Sequence, residues 1–83
     1  MLFIDKYGNE TTFQELKKNI KGRDCFLWGN SSNNVDLFDV VSPSTFKGIF
    51  DNNKDNWGKE DGFGHKICKV KVSRDIVIVS AMG

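Results

Sequence analysis

The sequence predicts one small α+β domain spanning 1–83, a mainly antiparallel sheet carrying two short helices. Three observations predict it. A length of 83 residues fits a single domain, whose usual range is about 50–250 residues. Apolar residues make up 39% of the chain and include seven Phe and two Trp, enough for one aromatic-rich core and too many for a disordered segment. Short apolar runs of β type alternate with two helix starts, giving the order β-α-β-β-α-β-β.

Leu2-Phe3-Ile4 reads as a first strand, closed by the turn residues Lys6-Tyr7-Gly8-Asn9. Thr12 and Glu15 form a Thr-x-x-Glu capping box, so a helix begins there. Phe13, Leu16 and Ile20 share its apolar face, Lys17, Lys18 and Lys21 project outward, and Gly22 stops it. Cys25 to Trp28 is apolar on both faces, as an interior strand should be. Gly29 to Asn34 is a polar turn cluster, and Val35 to Val41 is a strand candidate whose alternation is broken by Asp36 and Asp39.

Ser42-Pro43 reads as the start of a second helix, with Phe46, Ile49 and Phe50 on its buried face. Gly48 inside that helix would cost about 1 kcal/mol relative to Ala. Asp51 to Gly64 is a long loop rich in Asp, Asn and Gly, a length usually functional or mobile. Lys66 to Val72 alternates as a strand, with Cys68, Val70 and Val72 on one face and Lys69 and Lys71 on the other. The β-branched run Ile76 to Val79 needs cover on both faces and belongs in the middle of the sheet. The first six elements match the ferredoxin-like split βαβ order, and several other small α+β topologies accept the same string.

Charge excludes little. Twelve basic and eleven acidic residues leave a net +1, so a polyanion partner must be argued from where the basic residues sit. Two cysteines, Cys25 and Cys68, are too few for a disulfide-stapled secreted domain. There is no 18-residue apolar run and no leader-like start, and the expectation is a reducing cytoplasm away from membranes.

The catalytic and metal-binding patterns each fail on a specific residue. Asp51-Asn52-Asn53-Lys54-Asp55 opens like a calcium loop, but Asn56 stands where the turn Gly belongs and Gly62 where the bidentate Glu belongs. An ordinary polar loop is the expectation. His65, the single histidine, lies three residues from Cys68, on the opposite face of a strand, so no thiol–imidazole pair is expected. Gly58, Gly62 and Gly64 have neither Walker nor dinucleotide spacing. No catalytic residue, metal ligand or cofactor is therefore assigned, and the expectation is that the chain is not an enzyme.

Two surfaces remain. Trp57 and Phe63, with His65 beside them, are the expected anchors for another protein, since Trp is over-represented in interface hot spots. Lys17, Lys18, Lys21 and Arg23 at the end of the first helix, and Lys66, Lys69, Lys71 and Arg74 along a lysine-faced strand, would suit RNA or single-stranded nucleic acid. A sheet of this size also often pairs with itself, a symmetric dimer being the commonest assembly. In its Asn-, Asp- and Lys-rich loops, compact core and missing catalytic set, the chain resembles the short accessory proteins of tailed bacteriophages. The resemblance implies an inhibitor or adaptor of a host or defence protein, a host-takeover or counter-defence factor, with RNA-assisted inhibition of a toxin as its nucleic-acid version.

Overall fold

The computed structural model describes residues 2–30 and 32–82; Ser31 of the expected turn cluster lies outside them. It is an α+β fold with a six-stranded sheet. The strands are β1 (Leu2–Asp5), β2 (Glu10–Thr12), β3 (Asp24–Trp28), β4 (Gly48–Phe50), β5 (Ile67–Cys68) and β6 (Ile76–Met82), and the helices are α1 (Phe13–Asn19) and α2 (Asn33–Leu37). Across the sheet the order is β2-β1-β6-β3-β4-β5. On one side β2, β1 and β6 run antiparallel; on the other β6, β3, β4 and β5 run parallel. The sheet is therefore mixed: the antiparallel pairing expected for most of it is realised on the first side, and the second side is parallel.

Much of the local chemistry behaves as read. Asp5 closes the β1–β2 hairpin, its carboxylate accepting the N–H groups of Tyr7 and Asn9 at 2.9 Å, while Gly8 takes the positive φ the turn needs. Thr12 caps α1 by accepting the Glu15 N–H at 3.2 Å. The reciprocal half of the capping box is absent, since the Glu15 carboxylate instead accepts from the Thr11 hydroxyl. The Ile76–Val79 run lies in the third of six positions, flanked by β1 and β3.

Two segments exchange type. Residues expected as a strand at Val35–Val41 begin inside α2, because Asn34, Leu37 and Val41 face inward at helical spacing while Val35 and Val40 face solvent. The helix expected after Ser42 shrinks to one 3₁₀ turn, Pro43–Thr45, and Gly48–Phe50 forms a fully buried strand. Gly48 is therefore a strand residue, and its missing side chain has a use: a Cβ there would meet the Phe26 ring at 3.1 Å and the Lys66 carbonyl at 3.2 Å. The Phe26 ring also stacks on Phe50, with centroids 4.3 Å apart. With a strand in place of that helix, the ferredoxin-like order is not formed. Of the strand expected over Lys66–Val72, Ile67–Cys68 forms β5 and Lys66 adds an isolated bridge to Glu60.

Alternation along the strands sorts the side chains into two layers. Phe3, Val79, Cys25, Leu27, Ile49 and Ile67 face Leu16 of α1 and Leu37 of α2 in the main core, joined by Val41 and Phe46. Among the described residues, no helix packs on the opposite face, which carries Ile4, Ile78, Phe26 and Phe50. Instead the connection from edge strand β5 back to central β6 runs across it, bringing Val72 beside Ile4, Trp28 and Ile78. Lys6 Nζ donates to the Ser73 carbonyl at 3.4 Å, and the Arg23 guanidinium to the Arg74 carbonyl. No helix among the described residues is long and apolar enough to cross a membrane.

Candidate functional site

The loop from Asp51 to Gly64 folds back on edge strand β5 and is tied down along its length. Asp51 organises its start: one carboxylate oxygen accepts the Asn53 N–H and the other the Asn56 side-chain amide, both at 2.9 Å. The Asn53 N–H first, then the Asn56 amide, hold the Asp51 carboxyl below the usual carboxylate range. Asn53 in turn caps the 3₁₀ turn Lys54–Asn56 by accepting the Asp55 N–H. The Asp51 and Asn53 oxygens that suggested a calcium loop are thus engaged by the loop's own donors, and no cluster of three or more metal-ligating side chains occurs among the described residues.

The middle of the loop lies along the outer edge of β5. The Ile67 carbonyl accepts the Gly58 N–H at 2.8 Å, and the Ile67 N–H donates to the Lys59 carbonyl at 2.8 Å. Glu60 and Lys66 form a further antiparallel bridge. Gly58, Gly62 and Gly64 all sit at positive φ, where a side chain would strain the backbone. These glycines shape the turns of a hydrogen-bonded loop.

His65 corrects the sequence reading most directly. Expected as a partner contact, its residue surface is only 2% exposed, so it cannot serve as an anchor. Its Nδ1 lies 2.6 Å from Asp61 Oδ2 and its Nε2 2.7 Å from the Pro43 carbonyl. A carbonyl only accepts, so Nε2 carries a proton and donates to Pro43. The other oxygen of Asp61 accepts the backbone N–H groups of Phe63 and His65 at 2.9 Å. Burial pushes the Asp61 carboxyl up; the hydrogen bond from the His65 ring, those from the two N–H groups and the charge of the ring outweigh it, and the net shift is downward. With both ring nitrogens engaged and Phe38 stacked on it at 5.1 Å, His65 joins the loop to the turn at Pro43. Cys25 is no more available: burial pushes its thiol up to about 12. Cys68 is likewise raised by burial, and its Sγ lies 3.6 Å from the Ile49 carbonyl.

The two expected anchors do reach the surface, and each is held from below. Trp57 is 38% exposed, its indole N–H donating to the Asp51 carbonyl at 2.8 Å, with Lys69 Nζ 6.0 Å from the ring centroid. Phe63 is 40% exposed and packs on Phe38 at 4.8 Å.

The basic residues of the nucleic-acid reading do not form one stripe. Lys17, Lys18 and Lys21 belong to α1 and its exit, on the β2 side, whereas Lys66 and Lys69 flank β5 at the other edge. Arg23 and Arg74 do meet, through the guanidinium–carbonyl contact, and Lys71 lies in the segment crossing the sheet. With β5 reduced to two residues, the lysine-faced strand is an irregular connection.

Sequence reasoning missed the helix-free sheet face, where Trp28, Tyr7 and Val72 stand 40, 77 and 70% exposed. The signal was the alternation of Phe26 and Trp28 against Cys25 and Leu27, together with helices too few to cover both faces. Comparison with models of known protein families, with curated proteins and with solved structures finds no match to this chain.

Proposed function

We propose that the protein is a non-enzymatic binding module that inhibits or adapts another protein, gripping it through Trp57 and Phe63 on the Asp51–Gly64 loop. One observation carries the reading: both rings are part-exposed while the backbone beneath them is already fixed by hydrogen bonds. Side chains ordered before contact lose less entropy on binding, and this preorganisation is what concentrates affinity in a few aromatic anchors. The engaged nitrogens of His65 and the raised thiol of Cys25 support a role without covalent or acid–base chemistry. In keeping with the phage-like texture of its loops, the partner proposed is a host or defence protein of the cytoplasm.

The test is capture of the partner by tagged protein and by its Trp57→Ala and Phe63→Ala variants, each with and without nuclease. Binding should survive nuclease and fall about thirtyfold or more in the Trp57 variant, the size of a hot-spot loss. Unchanged capture by both variants, with their circular dichroism intact, removes the loop from the reading.

A second reading rests on Lys69 lying over the Trp57 ring. A base stacked on the indole would place its phosphate near that ammonium, as single-strand binders do. Capture lost on nuclease treatment, or falling steeply between roughly 50 and 200 mM salt, would put RNA binding in place of protein binding.

A further inference from the structure

We infer that the Asp61–His65–Pro43 bridge is a proton-operated latch, which holds the end of the Asp51–Gly64 loop against the turn at Pro43 and releases it as pH rises. The device belongs to the free chain and stands whatever the loop binds.

The latch works by proton count. Two acceptors face one imidazole: Asp61 Oδ2 lies 2.6 Å from Nδ1, and the Pro43 carbonyl 2.7 Å from Nε2. Contacts this short need a proton in each gap, and a carbonyl supplies none. The Asp61 carboxyl is held below its ordinary range, so the closed bridge is an imidazolium beside a carboxylate. A neutral ring has one N–H and satisfies one acceptor. That proton stays on Nδ1, because the opposite tautomer would turn a lone pair toward a negative oxygen. Nε2 is then bare, and its lone pair faces those of the Pro43 carbonyl. The contact that breaks is therefore the one between loop and turn, 22 residues apart, while the one between Asp61 and His65, four apart, persists. The closed bridge binds one proton more than the open one, so closure weakens with rising pH.

The surroundings leave that proton in control. The His65 and Asp61 side chains are 3% and 2% exposed, so no solvent replaces the lost donor while the latch is shut. From α2 comes Phe38, an uncharged ring that stacks on His65 and also carries Phe63. The charged groups on the elements meeting here are Asp36 and Asp39 on α2 and its exit, Lys47 after the Pro43 turn, and Glu60 and Lys66 beside the bridge. All are exposed, and among the described residues His65 pairs with Asp61 alone. Release of the Pro43 contact unseats Phe63 from Phe38 and leaves the loop's own bonds to Asp61 in place.

His65 is the only histidine, so ring ¹⁵N signals of the full chain report it directly. The titration runs from about pH 5.5 to about 8.5, across the range where histidine changes charge and above that of carboxylates. At the acid end both ring nitrogens should read as protonated, with nuclear Overhauser contacts from the His65 ring to Pro43 and between Phe38 and Phe63. Toward the alkaline end the ring should become the Nδ1–H tautomer and those contacts should be lost. Exchange protection of the Phe63 and His65 N–H groups should remain. Asp61→Asn should invert the response. Its amide can donate to a bare Nδ1, so the neutral Nε2–H ring satisfies both partners; the bridge then holds at the alkaline end and opens at the acid end. Four outcomes overturn the proposal: a neutral ring in the closed fold at the acid end, contacts that persist while the ring titrates, a ring that keeps both protons throughout, or an Asp61→Asn chain that opens in the wild-type direction. The first three are read on the wild-type chain and need no folded variant.

Discussion

A single carboxylate, Asp61, carries more of the loop than its position between Glu60 and Gly62 suggests. It accepts two backbone N–H groups and the His65 ring while its own side chain is only 2% exposed. Asp61→Ala should lose about 3 kcal/mol in urea unfolding, because the buried donors keep their protons and lose their acceptor. Asp61→Asn should lose much less: the amide oxygen still accepts the N–H groups, and its NH₂ can donate to Nδ1 once the ring is the neutral Nε2–H tautomer. The wild-type carboxyl titrates below its unfolded value of about 3.9. Its contribution is therefore complete above that value and is lost as pH falls through the lower folded one. Acid unfolding curves of Asp61→Asn should be flatter than wild type in that window. This role was half legible: Asp61 four residues before His65, with Gly62 and Gly64 between, spells a tight loop, but the Pro43 carbonyl that engages Nε2 is distant in sequence.

At the scale of elements, caps and turns were readable and the assignment of residues 33–50 was not. The Thr12 cap is local chemistry, and Thr12→Ala should cost about 1 kcal/mol with no change at the loop. Val35–Val41 is rich in β-branched residues, which favoured a strand, yet the inward set Asn34, Leu37 and Val41 obeys a helical period. Phe46, Ile49 and Phe50 fit a helix equally well. What makes Gly48–Phe50 a strand is the open side of β3, a tertiary demand that no window of ten residues contains. The close approach of Phe26 to Gly48 is its signature. Gly48→Val should destabilise by about 2 kcal/mol, from overpacking against that ring. Gly62→Ala, strained by its φ and not by contacts, should perturb the loop and leave the Phe26–Phe50 stack unchanged, as aromatic NMR shifts would report.

For the whole molecule, the α+β class and the central place of β6 followed from composition and from one β-branched run, while both surfaces of interest depended on which strand lies beside which. Trp57 and Phe63 were legible as apolar residues stranded in a polar loop. The helix-free face was not, since Tyr7, Trp28 and Val72 come to it from the hairpin turn, β3 and the crossing connection. The tryptophans give a test of cohesion. Trp28 in a Trp57→Phe chain reports β3, and Trp57 in a Trp28→Phe chain reports the loop. If the loop folds as one with the sheet, each should show a single denaturant transition and, once corrected for the effect of its own substitution, the same midpoint. An earlier transition at Trp57 would mean that the loop melts by itself.

The backbone contacts along Ile67 reach beyond recognition. Its N–H and carbonyl face away from the sheet and are both taken by the chain at Gly58 and Lys59, so that margin offers no template to another strand, and β2 is left as the other margin. Growth of a filament by strand addition needs two free margins on every molecule. With only one, a pair joined β2 to β2 would use up both and go no further. The same turn that presents Trp57 withdraws Ile67 from strand addition.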